Sequence, residues 1–526
     1  MAATREWTPE RSAAGRHNPW LIVGIISMAT FMEVLDTSIA NVSLTHIAGG
    51  LSASQDEAAW VLTSYFVANA VIIPLSGWLA DVIGRKRYYM MSVALFTISS
   101  LLCGMAPNLT FLIVARIVQG IGGGGLAPSE QSILADTFPP EKRGQAFAAY
   151  GVVVVCGPVL GPTLGGWITD NIGWHWIFLI NVPVGLLSLV LVHIFLCEPK
   201  ALKEERREKH RKGLNVDYIG FALVALGLGF LEVTLDRGER DDWFGSGFIL
   251  VSAIVAGLSL IALVLWELYH RDPVVNLRLL KNRNFAITCL FMTTAGVVLF
   301  GTTALIPQYL QQVMGYDATN AGLALTTGGI ATLLVMPLTG VLVGKVDTRL
   351  LLIPALVLQA LALWYMTGWN GDIAYGNASI GRLISAAGLP FLFIPINTAA
   401  YVGLKPEETN QASALLNVAR NLGGTFGIAV SQAMLIERGQ AHQTRIVEGL
   451  NPLNPSYVEG LGQLSQTLGG AATDSSAALG ALYQQVQRQA AALAYVDVFH
   501  TFMVFVIVVT PLALLVRQGK SAAHGG

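Results

Sequence analysis

The sequence predicts an all-α polytopic membrane protein with fourteen transmembrane helices and the two-halved fold of transporters. Of its 526 residues, 53% are hydrophobic, only 12% are charged and 55 are Gly, as in helical chains that face lipid. Fourteen apolar runs of about twenty residues follow one another, each long enough to cross the hydrocarbon core. With both termini placed in the cytoplasm, 24 of the 32 Lys and Arg residues fall in cytoplasmic segments. This excess agrees with the positive-inside rule and supports the count of fourteen.

Composition and motifs argue against several classes of protein. A net charge of -1 gives no sign of a nucleic-acid partner,. Cys103, Cys156, Cys197 and Cys289 show no paired spacing, so they indicate neither a disulfide framework nor a metal site,. No phosphate loop, nucleophile elbow or nucleotide fingerprint stands between a strand and a helix. We therefore expect no enzymatic activity and no cofactor, with an ion gradient as the driving force.

Charged residues in the first and fourth spans are candidates for proton coupling, because a charge in hydrocarbon is costly and marks a pathway or relay. Glu33 and Asp36 are three residues apart and share a helix face,. Asp36 and Arg116 lie about 12 Å and about 10 Å deep in their spans, so we expect them to face each other. Burial raises a carboxyl pKa and a nearby Arg lowers it, so a pair whose spacing changes can load and release a proton. The alternative is a static ion pair that fixes helix register.

Other polar residues in the spans predict a central cavity. Glu130 in the inner part of span four is either a second protonation or cation-binding site lining this cavity or a solvated residue near the cytoplasmic surface. Arg420, near the bilayer middle, should face the bundle interior, whereas Arg382 begins span twelve at its outer edge and should snorkel. The residues predicted to line a substrate cavity are Asn41, Tyr65, Asn69, Gln119, Gln308, Asn417, Arg420 and Asn421. For the aromatic residues in the spans, ordinary packing is the alternative.

Residues 151–167, GVVVVCGPVLGPTLGGW, form a glycine and proline ladder inside an apolar run. Its members are Gly157, Pro158, Gly161, Pro162, Gly165 and Gly166. Three of these Gly recur every four residues and leave one helix face bare, while each Pro removes a hydrogen bond and allows bending. The bare face predicts a very close approach of a neighbouring helix. An ordinary tight crossing without a functional role is the alternative.

A second motif, GWLADVIGRKR at 77–87, ends the second span. Its Gly residues permit a tight turn, Asp81 can sit at a helix terminus, and Arg85 can reach an acid such as Asp136 at the inner end of span four. The predicted conformational latch consists of Gly77, Asp81, Gly84, Arg85 and Asp136. The corresponding segment of the second half, 340–349, is only a degraded echo.

These motifs resemble those of the major facilitator superfamily, and within it the fourteen-span drug/proton antiporter branch of the EmrB/QacA type. The glycine and proline ladder resembles the antiporter motif of span five. LDTSIANV at 35–42 resembles the first-span motif, and RIVQGIG at 116–122 resembles the fourth-span motif, whose Arg is linked to proton transfer. Glu33 is an acidic addition where the branch is expected to have a neutral polar residue. The resemblance implies proton-coupled export of hydrophobic or amphipathic compounds by alternating access.

The resemblance also implies a plan of six, two and six helices. The predicted segments are a cytoplasmic tail at 1–18, a six-helix half at 19–196, a charged linker at 197–215, two inserted helices at 216–266, a cytoplasmic loop at 267–284, a second six-helix half at 285–516 and a cytoplasmic tail at 517–526. The second half includes a long external loop at 437–496, in which apolar residues at helical spacing precede the last span.

The resemblance also implies partner proteins, and two alternative functions stay open. Transporters of this type work in the cell inner membrane with a membrane-fusion adaptor of the EmrA type and an outer-membrane channel of the TolC type, so loop 437–496 is either a docking site or a passive cap. We expect the lipid bilayer and small hydrophobic substrates as further partners. A dedicated exporter of one metabolite or self-made toxin stays open, as does a structural subunit that docks an envelope conduit and does not need Asp36.

Overall fold

The computed structural model is built from helices. It describes residues 12–15, 17–198, 203–204, 206–207, 211, 216–270, 272–316, 318–343, 345–451, 453–467 and 475–516. In these ranges the one β pairing is an isolated bridge between Val343 and Val346, so the predicted all-α class is confirmed. The predicted tail at 517–526, most of the tail at 1–18 and most of the linker at 197–215 lie outside the described residues.

The helices follow the order of the predicted spans. Those of the first half are α1 (Pro19–Val42), α2 (Leu44–Gly50), α3 (Gln55–Ile83), α4 (Arg85–Gly104), α5 (Leu109–Gly123), α6 (Leu126–Thr137), α7 (Pro140–Asn171), α8 (Trp176–Leu179) and α9 (Asn181–Phe195). The inserted helices are α10 (Tyr218–Arg237) and α11 (Gly247–Tyr269). Those of the second half are α12 (Arg283–Gln312), α13 (Ala318–Leu342), α14 (Thr348–Thr367), α15 (Tyr375–Ala400), α16 (Thr409–Glu448), α17 (Pro455–Thr467) and α18 (Ser475–Val509).

Within the described ranges, eleven helical segments are long and apolar enough to cross a membrane. α5 with α6 form one of these segments, and α8 with α9 form another. α4, α7 and α16 fall outside this set, and they carry the basic run at 85–87, the glycine ladder and Arg420 respectively. All fourteen predicted apolar runs nevertheless lie on helices. The count of fourteen spans and the side on which the termini lie stay predictions.

The two halves repeat the same helix pairings. In the first half α1 packs on α7 and α9, and α4 packs on α5 and α9. In the second half α12 packs on α16 and α18, and α14 packs on α15 and α18. Across the halves α3 packs on α16 and α13 packs on α7, so the second helix of each half meets the fifth helix of the other. This reciprocity is expected of two structural repeats related by a pseudo-twofold axis.

We call these two contacts between the halves, α3 with α16 and α7 with α13, the seams. The inserted helices lie beside the first of them. α10 and α11 pack on each other, and α10 also packs on α3 and α16. One face of α10 is therefore close to the junction between the halves, which matters for the cavity described below.

The glycine ladder places α7 directly against α1. A Cβ atom on Gly157 would lie 2.7 Å from Val34 Cγ1, and one on Gly165 would lie 2.9 Å from Ile39 Cγ2. A Cβ atom on Gly161 would collide with the Ser38 side chain, whereas Gly166 has open space around it. Of the four Gly in the ladder, the three spaced four residues apart therefore make the close crossing. The side chains of Pro158 and Pro162 lie outside the described part of the structure.

Much of the predicted external loop is helical. α16 continues to Glu448, α17 follows, and α18 begins at Ser475, well before the last predicted span. The Gln-rich and Ala-rich composition of 475–496 explains the helix, because both residue types have high helix propensity. His442 Nε2 lies 2.9 Å from Asp497 Oδ2, which ties the extension of α16 to α18.

Candidate functional site

Asp36 on α1 and Arg116 on α5 form a buried ion pair in the first half. Arg116 Nη1 lies 2.6 Å from Asp36 Oδ2, and neither side chain has any exposed surface. The match in depth that the sequence predicted therefore corresponds to a direct contact. The Arg116 guanidinium also lies over the ring of Tyr65, with its Cζ 4.3 Å from the ring centroid, which adds a cation–π contact.

Amide side chains complete the surroundings of Asp36. Gln119 Nε2 donates to Asp36 Oδ1 at 3.0 Å, and Asn181 Nδ2 donates to the same oxygen at 2.7 Å. Arg116 Nη1 donates to Gln119 Oε1 at 2.7 Å, and Arg116 Nε donates to the Val61 carbonyl at 3.0 Å. Both oxygens of Asp36 therefore accept hydrogen bonds. Oδ1 accepts two of them and Oδ2 accepts one, so three of the four lone-pair positions of the carboxylate are occupied,.

Glu130 on α6 occupies a second buried polar site. It is fully buried, and in the described part of the chain it forms no ion pair. Its carboxyl group contacts the Thr30 hydroxyl on α1, and Tyr89 OH lies 3.0 Å from Glu130 Oε1 and 2.9 Å from the Ile26 carbonyl oxygen. The carbonyl can only accept, so when Tyr89 donates to it, the contact with Glu130 needs a proton from the carboxyl group. The site thus accommodates a protonated Glu130.

This position corrects both sequence interpretations of Glu130. The residue neither lines the central cavity nor is solvated. It lies behind the cavity wall, because Thr30 and Tyr150 stand between it and the cavity.

A central cavity of about 380 Å³ lies between the halves, within the size range of small-molecule sites. Its walls come from α1, α3, α6, α7 and α10 on one side and from α12, α13, α15 and α16 on the other. Of the residues predicted to line it, Tyr65, Asn69, Arg420 and Asn421 do so, together with Glu33. Glu33 accepts from Tyr65 OH at 3.4 Å and from Asn69 Nδ2 at 3.3 Å.

Four predicted cavity residues need correction, because each lies elsewhere. Asn41 is exposed near the end of α1, and Gln119 is buried in the Asp36 cluster. Gln308 accepts from Gln432 Nε2 at 3.0 Å. Asn417 donates to Gln131 Oε1 at 2.8 Å and so joins α16 to α6. Their polarity inside apolar spans suggested a cavity, but the sequence does not show which way each helix face turns.

Arg382 also departs from its predicted position, but it lies in the cavity rather than outside it. It was expected to snorkel, yet its side chain is buried, lines the cavity and donates to the hydroxyl groups of Thr302 and Thr303 at 3.1 Å each. The reason is that α15 begins at Tyr375, two turns before Arg382, so the residue is deeper than the apolar run suggested.

Two residues that line the cavity were not predicted from the sequence. Glu232 and Asp236 on α10 both line the cavity. In the described residues, none of Glu33, Glu232, Asp236, Arg382 and Arg420 takes part in an ion pair. The signal available was Glu232 itself, a carboxylate inside an apolar span, which by default marks a functional position.

The predicted latch residues are brought together at the ends of α3 and α6. Arg85 pairs with Asp136, and Gly84 adopts a φ of 100°, which favours Gly,. Asn410 Nδ2 on α16 donates to Asp81 Oδ1 at 2.5 Å, and a Cβ atom on Gly77 would lie 2.8 Å from Gln411 Cα. The motif therefore contacts the other half as well as its own, a connection that the sequence did not predict.

Comparisons with known proteins agree with this architecture. A model of the Major Facilitator Superfamily matches residues 26–428. The chain is 40% identical over 436 residues to the multidrug export protein EmrB of Haemophilus influenzae, covering 83% of this chain and 84% of that protein. It is 36% identical over 511 residues to the fatty acid resistance protein FarB of Neisseria gonorrhoeae, covering 96% and 97%. The solved structure of the proton:xylose symporter XylE is similar in fold, with a TM-score of 0.59 at 15% identity and coverage of 96% and 97%.

Proposed function

The chain belongs to the Major Facilitator Superfamily, and from this we propose that it is a multidrug efflux transporter that exchanges hydrophobic or amphipathic compounds for protons. It is a multi-pass protein of the inner membrane and a transporter by family. The names of its relatives support multidrug export as the activity. The proposal of proton coupling rests on the geometry of the polar residues in the spans.

The observation that carries the proposal is the arrangement of three polar residues along α1. Thr30 contacts Glu130, Glu33 lines the cavity, and Asp36 pairs with Arg116. These residues are three apart, so they lie near one another on the helix. Any movement of α1 caused by a compound at Glu33 also acts on the two buried carboxyl sites.

The coupling follows from the hydrogen bonds already described. Loss of the Arg116 or Gln119 contact would free Asp36 to take a proton, and restoring that contact would favour release of the proton. α1 packs against the bare glycine face of α7, and α7 in turn packs on α13 of the other half. A shift of α1 is therefore transmitted across the seam between the halves, as alternating access needs.

The direct test is substrate-driven proton movement in proteoliposomes, with a hydrophobic cationic dye as substrate. We expect Asp36→Asn to abolish coupled proton flux while dye binding is retained, and Glu33→Gln to reduce it. Glu57→Gln, which alters an exposed carboxylate on α3, is the control. Unchanged coupled flux in Asp36→Asn would contradict the proposed role of Asp36, whereas absence of coupled flux in the wild-type protein would fit a structural docking subunit.

We also propose that the external segment 437–496, whose described helices are the end of α16, α17 and the start of α18, docks a membrane-fusion adaptor. The protein would then be the inner-membrane subunit of a tripartite pump. The support is the exposed apolar surface there: Leu453 is 93% exposed, and Val458 and Tyr483 are each 52% exposed. Leu453→Asp with Val458→Asp should reduce co-purification of a co-expressed adaptor. Undiminished co-purification would leave this segment a passive cap.

A further inference from the structure

The inserted helix α10 presents two carboxylates to the central cavity. Glu232 and Asp236 are four residues apart, so their side chains are neighbours on one face of the helix, and both line the cavity. α10 reaches this position because it packs on α3 and α16, the two helices that form one seam between the halves.

Each of these carboxylates has one hydroxyl neighbour, and that hydroxyl is shared. Thr425 Oγ1 lies 3.3 Å from Glu232 Oε2 and 3.5 Å from Oε1, but it also donates to the Asn421 carbonyl at 3.1 Å. Thr63 Oγ1 contacts Asp236, but it also donates to the Ala59 carbonyl at 3.2 Å. A hydroxyl has one proton, so these contacts do not fully satisfy either carboxylate; Asp236 is exposed, whereas Glu232 is buried,.

The burial of Glu232 makes this deficit costly. The residue is only 9% exposed, and among the described residues no Lys, Arg or His pairs with it or with Asp236. A buried carboxylate without a cation loses hydration and gains no compensating charge. A positively charged group of a bound ligand would stabilise this carboxylate.

A further unsatisfied polar group lies on the opposite wall of the cavity. Asn397 on α15 lines the cavity and is 7% exposed. Its Nδ2 donates to the Phe393 carbonyl at 2.8 Å, so its amide orientation is fixed, and its Oδ1 is buried without a hydrogen-bond donor. A second unsatisfied acceptor thus lies in the wall of the same space.

We propose that Glu232 and Asp236 form a subsite for the positively charged group of a lipophilic organic cation, which makes the inserted helix α10 a substrate-binding element. The apolar body of the ligand would lie against Leu235, Phe66 and Phe300, which line the same cavity, and aromatic rings favour a nearby cation. This inference rests on the proposed export function but concerns binding alone, so equilibrium binding tests it whether or not transport is coupled to protons.

The test compares two probes of the same shape and opposite charge, tetraphenylphosphonium and tetraphenylborate, binding to the purified full-length protein in lipid nanodiscs. We expect Glu232→Gln with Asp236→Asn to raise the Kd for tetraphenylphosphonium by roughly tenfold or more. Binding of tetraphenylborate should be unchanged or tighter. Glu239→Gln, a carboxylate just beyond α10 that does not line the cavity, is the matched control and should change neither Kd. Equal Kd values for the cation in wild type and the double variant would overturn the proposal, as would equal weakening of both probes.

A second measurement needs no variant. A hydrophobic carbodiimide is applied to the wild-type protein, and the modified carboxyls are located by peptide mass spectrometry. Tetraphenylphosphonium should protect Glu232 and Asp236, while tetraphenylborate should not. Modification of both residues at full extent in the presence of saturating tetraphenylphosphonium would overturn the proposal even if the double variant failed to fold.

Discussion

Arg116 Nη1 on α5 lies 2.6 Å from Asp36 Oδ2 on α1, and the two side chains have no exposed surface. Two buried opposite charges stabilise each other. Removal of one partner leaves an uncompensated buried charge, whereas removal of both charges does not. The pair therefore makes a sharp prediction about stability, separate from its role in transport.

Arg116→Gln should destabilise the protein by about 3 to 5 kcal/mol, because Asp36 is left buried without its cation. Adding Asp36→Asn to this variant should recover much of the loss, because both charges are then absent. Thermal unfolding of the purified protein in detergent would measure both effects. A double variant less stable than Arg116→Gln would show that the pair is not the source of the effect.

Substitutions at Gly161 and Gly166, two positions of the glycine ladder, should have different effects. Gly161→Ala places a methyl group against Ser38 and should cost about 1 to 3 kcal/mol through overpacking, with slower transport because α1 and α7 are forced apart. Gly166→Ala has open space and should behave as wild type. Transport rate and unfolding temperature are the measurements. Equal behaviour of the two variants would mean that the close crossing is not required.

The hydrogen bonds around Glu130 fit a protonated side chain, so an amide should replace it well. Glu130→Gln should keep the unfolding temperature close to that of wild type. Glu130→Ala should cost about 1 to 3 kcal/mol, because Thr30 and Tyr89 lose a partner in a buried site. Thermal unfolding distinguishes the two variants. A Gln variant as unstable as the Ala variant would show that Glu130 is ionised in the folded protein.

The contact between Asp81 and Asn410 should hold the halves together at the predicted cytoplasmic side. Asp81→Ala should shift the protein toward a form that is open there, and the spin-label distance between positions 82 and 407 should lengthen in more molecules. Lys86→Gln is a suitable control, because Lys86 donates to the His193 carbonyl within its own half. An unchanged distance distribution in Asp81→Ala would show that this contact does not act as a latch.

The sequence predicted most of the fold and part of the site, and the reason differs between residues. Apolar runs and basic loops specify helices and their order, because lipid permits few other solutions. Asp36 and Arg116 were paired correctly because residues at equal depth in adjacent helices have few other places to go.

Orientation around the helix axis was the weaker part. Gln119 and Asn417 were predicted to line the cavity, but they contact other side chains instead. Arg382 was misplaced because its helix begins earlier than the apolar run does. Glu232 and Asp236 were missed because their importance depends on α10 packing at the seam, and neither periodicity nor spacing shows which seam an inserted helix joins.

The inserted helices also make the two sides of the transporter unequal. The halves match each other, yet α10 and α11 stand beside the contact of α3 with α16. A lipophilic compound dissolved in the surrounding leaflet would meet an additional layer of protein on that side. We therefore expect lateral entry from the bilayer to be directional, through the α7 and α13 side, so that the transporter collects its cargo from one flank of the membrane around it.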